Sequence, residues 1–207
     1  MNELLSSLNS IHPLSAALRQ FLSEKFRTRN IAKKEFLHKA GHINRHIYFI
    51  KQGLLRCYYS EQGHEICTHF IKENDIIVSS TSFFLQKESL ESIQAIEDSI
   101  VWYFCFDELQ YMYKHFPEFN IIARVLVTKS YLLSEQRIRI IRTKQASHRY
   151  ATMLKHFPEL ILRVPAKYIA SFLGVNEETL SRIRSRKHLL TIINLLLSAP
   201  LYFSQAG

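Results

Sequence analysis

Over the first 25 positions apolar residues recur every three or four: Leu4, Leu5, Leu8 and Ile11, then Leu14, Leu18, Phe21 and Leu22. That spacing predicts helix, with Pro13 placed to start a second helical piece. From about residue 26 the period changes. Short apolar runs follow at Phe36-Leu37, Ile47–Ile50, Leu54–Tyr59, Ile66–Ile71, Ile76–Val78, Ile93–Ile96 and Ile100–Phe106. Turn signals at Gly41, Gln52-Gly53, Glu61-Gln62-Gly63 and Glu73-Asn74-Asp75 punctuate them. Short strands at this interval predict a compact β-sandwich or barrel.

After this the chain turns helical. Asp107 is placed to cap a short helix, and Phe116-Pro117 ends it. A long helix is predicted over 117–142, where Phe119, Leu126, Leu133 and Ile140 repeat every seven residues and Ile122, Val125 and Leu132 widen the stripe. Such a stripe is either a seam between two copies or a face packed on the chain's own β domain. The motif described next, which works as a dimer, favours the seam, with Phe119, Ile122, Leu126, Leu133 and Ile140 as its contacts. The peptide Lys-His-Phe-Pro-Glu occurs at 114–118 and again at 155–159; unlike flanks make it punctuation at helix ends, not a duplicated domain.

The stretch Ala166–Ser185 carries the chemistry. Ile169, Leu173, Val175, Leu180 and Ile183 are spaced as the apolar contacts of two crossing helices, with small Ala170 where they approach. Gly174 stands where the turn requires a positive φ, and Asn176 is a good N-cap for the second helix. Glu178, Ser181 and Arg182 are spaced i, i+3, i+4 and share a face. At the start of a helix laid in a major groove, such a face supplies an acceptor for cytosine N4, a hydroxyl, and a guanidinium fork for guanine. Asn176, Thr179, Arg184, Arg186 and Lys187 are the expected phosphate contacts. An ordinary helical hairpin with a solvated polar face is the plainer reading, but the apolar set and the polar face together favour a helix-turn-helix.

Charge points the same way. The chain has 27 Lys and Arg against 18 Asp and Glu in 207 residues. Residues 1–120 hold 13 basic and 14 acidic side chains, whereas residues 121–207 hold 14 basic and 4 acidic. A half-chain so basic suits a polyanion. At 207 residues and 47% apolar content one large or two small domains are expected. The N-terminus has neither a basic start nor a long apolar run, so no signal peptide is expected. Three scattered cysteines, Cys57, Cys67 and Cys105, suit a reducing, cytoplasmic setting and fall short of an iron–sulfur ligand set. No Ser/His/Asp or Cys/His set and no phosphate-cradling glycine loop stands out, so an enzyme is not expected. His38, His42 and His46 are spaced by four, but across a predicted hairpin that spacing does not converge on a metal; His64, His69 and Glu73 lack the close His-x-His pair of the cupin enzymes. No metal or cofactor is expected.

Helix, β domain, long helix and helix-turn-helix, in that order over about residues 5–188, resemble the Crp/Fnr transcription regulators. The block Ile47–Arg56 is similar to that family's strand, glycine turn and strand, and Glu178–Ile183 resembles the Fnr-type recognition helix, in which the Glu, Ser and Arg contact bases. Glu177 stands where some members carry Arg. The resemblance implies an α+β fold: a double-stranded β-helix, or β-roll, of the cyclic-nucleotide-binding type, a long dimerisation helix, and a C-terminal helix-turn-helix of winged-helix type. The domains expected are 1–116, 117–144 and 145–207. The implied function is sequence-specific DNA binding by a cytoplasmic homodimer, with double-stranded DNA and RNA polymerase as partners and no membrane. The competing reading is a ligand-binding signalling module whose basic half docks on a protein.

The sensor segment departs from the cyclic-AMP-binding members. These carry a Gly-Glu pair and, shortly after, an Arg that neutralises the cyclic phosphate. Residues 79–98 hold no Gly-Glu, and the Arg position falls near Ser89 or Leu90. A buried phosphate without a cation is costly, and Lys87 lacks the bidentate fork, so cyclic AMP and cyclic GMP are not expected. Ser80, Ser82, Phe84, Lys87 and Ser89 are the candidate lining of a pocket for another effector, or plain filling of the roll. After Arg186-Lys187-His188 the apolar tail 189–203 shows no glycine-turned strand pair, so no wing is expected, and it is too short and interrupted to span a membrane.

Overall fold

The computed structural model describes residues 2–185, and the apolar tail and its wing position lie outside them. The chain divides into two compact units, 1–135 and 136–207, the division falling within the long helix. The expected boundaries at 116 and 144 stand at the two ends of this helix, which contributes its first part to the core of one unit and its end to the other.

The first unit opens with helices α1 (Asn2–Ile11) and α2 (Ala16–Lys25). Ser15 caps α2 by accepting from Leu18 N at 3.1 Å. Eight strands follow: β1 (Arg27–Ile31), β2 (Phe36–His38), β3 (His46–Gln52), β4 (Leu55–Glu61), β5 (His64–Ile71), β6 (Ile76–Ile77), β7 (Glu91–Ala95) and β8 (Ser99–Cys105). They form two antiparallel sheets of four, in the orders β1-β8-β3-β6 and β2-β7-β4-β5. Apart from the β4–β5 hairpin, consecutive strands alternate between the two sheets, which is the winding of a roll. Helix α3 (Ser80–Leu85) bridges β6 and β7.

Alternation along the strands builds two cores. Ile31, Leu37, Ile50, Leu55, Cys57, Ile71, Ile77, Ile93 and Val101 meet between the sheets. Phe49, Trp102 and Phe104 pack instead with Leu4, Leu5, Leu8, Leu18 and Leu22 of the first two helices, and with Phe119 and Ile122 of the long helix. One close approach is glycine-dependent: Gly53 has φ +105°, and a Cβ there would lie 2.7 Å from the Ser99 Cα.

Helix α4 (Phe106–His115) begins one residue before the expected Asp107 cap. Cys105 occupies the cap position, and its N–H donates to Glu108 Oε2 at 2.7 Å. Glu108 also receives a two-point bond from Arg27 at 2.7 and 3.0 Å, tying β1 to α4. Asp107 is exposed and has no such part in the cap. The long helix α5 spans Pro117–Arg142. The second unit continues with α6 (Ala146–His156), α7 (Leu160–Arg163), α8 (Ala166–Leu173) and α9 (Glu177–Ser185). Both copies of Lys-His-Phe-Pro-Glu end a helix: Phe116 N donates to Met112 O at 3.0 Å and Phe157 N to Met153 O at 2.8 Å.

Candidate nucleic-acid interface

The turn between α8 and α9 is built as its sequence requires. Gly174 adopts φ 63°, and Val175 N and Gly174 N donate to Ala170 O and Ser171 O at 3.0 and 3.1 Å, closing the end of α8. Asn176 Oδ1 then accepts from Thr179 N at 2.8 Å and starts α9. Leu180 is fully buried, Ile183 nearly so, and both face a core that holds Ile169, Ala170 and Leu173 of α8. Seated by these two residues, α9 turns Glu177, Glu178, Ser181 and Arg182 to solvent. Arg182 Nη2 donates to Thr179 Oγ1 at 3.1 Å, which steadies the guanidinium without consuming its fork.

The expected phosphate contacts separate in the structure. Asn176 is exposed with its oxygen committed to capping, and Thr179 is half-buried with its hydroxyl oxygen accepting from Arg182. Arg184 folds back: its guanidinium lies 5.7 Å from the Tyr150 ring centroid, and Nε and Nη2 are buried without a partner among the described residues. Its place on α9, one residue past Ile183, points it along the domain and away from the reading face. Arg186 and Lys187 lie outside the described residues.

The residues of the expected seam lie at different depths on α5. Phe119 and Ile122 belong to the first unit's own core, Leu126 packs against that core, and Ile140 is buried within the second unit. Leu133 is half-buried. A side chain enclosed by its own chain has no face left for another copy. The apolar positions left exposed on α5 are Ile121, Val125, Val127, Tyr131, Leu132, Ile138 and Ile141; of these Val127 (58%), Tyr131 (62%), Ile138 (42%) and Ile141 (47%) align, with Ser134 between. They fall at i, i+4, i+7, i+11 and i+14, a heptad seam turned about a third of a circle from the expected one. The sequence does carry this second pattern, but Ser134 interrupts it and it shares its period with the self-packed stripe.

The five candidate pocket residues do not converge. Ser82 is fully buried; its Oγ accepts from Asn44 N at 2.8 Å and donates to Lys87 O. Ser89 is 4% exposed and bonds through Oγ to Ser79 Oγ at 2.9 Å, to Glu91 O and to Glu91 N. Ser80, Phe84 and Lys87 point to solvent. The serine-rich segment is therefore a knot that fastens α3 to the loop before β3, its hydroxyls satisfied from within. A cavity of about 440 Å³ borders it, lined by Tyr58, Ser60, Glu65, Glu88, Ser89 and Ser92 among others; of the five candidates it includes Ser89 alone. Between the sheets the roll is filled: Ile50, Leu55, Cys57, Ile93 and Val101 are each at most 1% exposed. Burial pushes the Tyr48 phenol in that core up to about 12.

Comparison with known proteins gives this geometry relatives. Residues 28–116 match the model of the cyclic nucleotide-binding domain. The chain is 26% identical over 180 residues to the anaerobic regulatory protein of Haemophilus influenzae, covering 81% of this chain and 69% of that one. Among solved structures it is similar to a variant of CooA from Carboxydothermus hydrogenoformans, with TM-score 0.65, 21% identity, and coverage of 90% and 84%. It is also similar to a Crp/Fnr-family transcriptional regulator from Eubacterium rectale, with TM-score 0.66, 21% identity, and coverage of 86% and 85%. The chain is thus similar to Crp/Fnr-type regulators, and the cyclic nucleotide-binding domain match falls in its first unit. Among the described residues no helix is long and apolar enough to cross a membrane.

Proposed function

We propose that this Crp/Fnr-type protein is a cytoplasmic, homodimeric, sequence-specific DNA-binding transcription regulator that does not respond to cyclic AMP. The observation that carries the reading is the exposed Glu178, Ser181 and Arg182 face on a helix seated by Leu180 and Ile183. Those three groups offer an acceptor, a hydroxyl and a guanidinium fork side by side, the set needed to read base edges in a major groove. The basic half-chain around them supplies the sequence-independent attraction to phosphate.

Two copies pair through Val127, Tyr131, Ile138 and Ile141 in this reading, which places two recognition helices on half-sites about one turn apart. Mobility-shift binding to duplexes selected from a random pool tests it. Wild-type protein is expected to enrich a palindromic sequence, and Arg182→Ala to weaken binding. Failure to enrich any sequence rejects the proposal and favours a basic half that docks on a protein. Tyr131→Glu is expected to yield a folded monomer by analytical ultracentrifugation; a persistent dimer rejects the seam.

A further inference from the structure

Arg149, on the first turn of α6, stands apart from every group invoked above. Its guanidinium donates in two directions. Nε donates to Leu173 O at 2.8 Å, while Nη1 is shared between Thr143 O at 2.9 Å and Lys144 O at 3.1 Å. Leu173 is the last residue of α8, immediately before the Gly174 turn. Thr143 and Lys144 belong to the three-residue link between the end of α5 and α6. All of these residues lie in the second unit.

The carbonyls involved are ones a helix leaves unpaired. The last carbonyls of α8 have no partner within the helix, and those following α5 project from its negative end. Bringing two such ends together is unfavourable unless a cation lies between them. A guanidinium suits this place because its planar fork presents donors along fixed, diverging directions; an ammonium is a point charge. The link is also held to α5, where Thr143 N donates to Ile140 O at 3.2 Å and its hydroxyl to Arg139 O at 2.9 Å, and to α6, where Gln145 O accepts from Arg149 N at 3.0 Å. Arg149 is thus a polar connection that runs from the α5 end across to the helix-turn-helix turn.

We propose that Arg149 is the positioning residue of this joint: it fixes the angle between the end of α5 and the helix-turn-helix, and so sets which spacing of DNA half-sites two paired copies can reach. This rests on the DNA-reading proposal above. Arg149 touches no base in this account. It acts by holding α8 and α9 at one orientation to the helix through which the copies pair.

The test uses full-length protein and a palindrome selected by the wild type, with variants of the spacer one base pair longer or shorter and a duplex bearing a single half-site. Wild type is expected to prefer its own spacing by about tenfold. Arg149→Met, which keeps the aliphatic stem, is expected to reduce that preference to about twofold while single half-site affinity stays within about threefold. Arg149→Lys, which returns the charge without the fork, is expected to behave like Arg149→Met. A merely structural role would lower single half-site binding and spacing preference together. A retained preference in Arg149→Met overturns the inference, as does loss of single half-site binding with a shallower salt dependence, the signature of a phosphate contact. If both variants unfold the second unit, the residue is a requirement of folding and the inference is overturned. Absence of any selected sequence for the wild type defeats the DNA-reading proposal itself, a distinguishable result.

Discussion

The roll of the first unit and the helix-turn-helix of the second treat their polar side chains in opposite ways. In the roll, Ser79, Ser82 and Ser89 bond to one another or to nearby backbone, and the space between the sheets is filled largely by aliphatic side chains. On α9 the polar residues of the reading face are left to solvent while their apolar neighbours do the anchoring. A face whose hydrogen-bonding groups are satisfied internally gains little from a ligand. A face that keeps its donors and acceptors free has an unfilled role, and the free set on α9 matches base edges. The difference teaches that motif composition alone, serine-rich in one place and Glu/Ser/Arg in the other, does not identify a site; the partners of each group do.

Breaking each unit's frame produces the largest effects. Gly53→Ala would place a Cβ 2.7 Å from the Ser99 Cα at a φ of +105°, so strand β3 or β8 must move. Strain of that kind is expected to cost about 3 kcal/mol or more and to lower the melting transition of the roll, followed by the fluorescence of the chain's single tryptophan, Trp102. Leu180→Ala, at a position with no exposure, is expected to cost about 2–5 kcal/mol in the second unit. It should abolish DNA binding while the Trp102 transition stays in place. A Trp102 transition that moves equally in both variants would contradict the division of labour.

Next in size is the reading face itself. Arg182→Ala is expected to cost about 1–3 kcal/mol at one base pair and to relax specificity there, measured by competition among single-base variants of the selected duplex. Arg184→Ala sharpens the contrast. Because its guanidinium lies over Tyr150 and not on the reading face, the loss should appear as stability and leave the salt dependence of binding nearly unchanged. A salt slope reduced by about one would restore Arg184 as a phosphate contact.

A smaller, graded effect belongs to the roll. Burial holds His38 below the ordinary imidazole value, with neighbouring His42 adding to it, and burial likewise lowers His46, with Arg27 adding. The folded state therefore keeps these rings neutral where the unfolded chain already binds protons. Their contribution is fully present above the unfolded value of about 6.5 and is lost as pH falls from there through the lower folded values. Each ring can change stability by at most about 1.4 kcal/mol per pH unit. Chemical denaturation between pH 8 and pH 5 should show the fall, and His38→Gln should flatten it. An unchanged slope would remove His38 from the account.

Much of this architecture was readable from spacing. The β4–β5 hairpin follows from Gln62-Gly63, α5 runs over 117–142 as its stripe predicts, and Asn176 caps α9. These features depend on contacts close in sequence. What escaped depends on which surface lies opposite. Phe119 and Val127 stand on two apolar stripes of one helix with the same period, and only the fold decides that the first packs on Trp102 and its neighbours while the second stays exposed. Arg149 escaped for a related reason: its three acceptors lie 5, 6 and 24 residues away, and no pattern of residue types marks a carbonyl as unpaired. Ser82 and Ser89 misled because hydroxyls that line a pocket and hydroxyls that tie a loop look alike until their partners are known.

The smallest expected effect is that of cyclic AMP on the melting of the roll. Residues 28–116 match a cyclic nucleotide-binding domain, so a nucleotide is the first ligand to try, and a null result would separate the shape of the domain from its chemistry. A ligand present at a hundred times its dissociation constant stabilises the folded state by about 2.7 kcal/mol, a shift of several degrees for a unit of this size. Adding about 1 mM cyclic AMP therefore reveals any affinity tighter than about 10 μM. No shift is expected. In the cavity that Tyr58, Ser60, Glu65, Glu88 and Ser92 line, the cyclic phosphate would meet Ser89, Leu90 and two carboxylates where a guanidinium is needed. A shift of several degrees would mean that the roll opens, that the serine knot rearranges to admit the phosphate, and that the contrast between a closed input and an open output holds only without ligand.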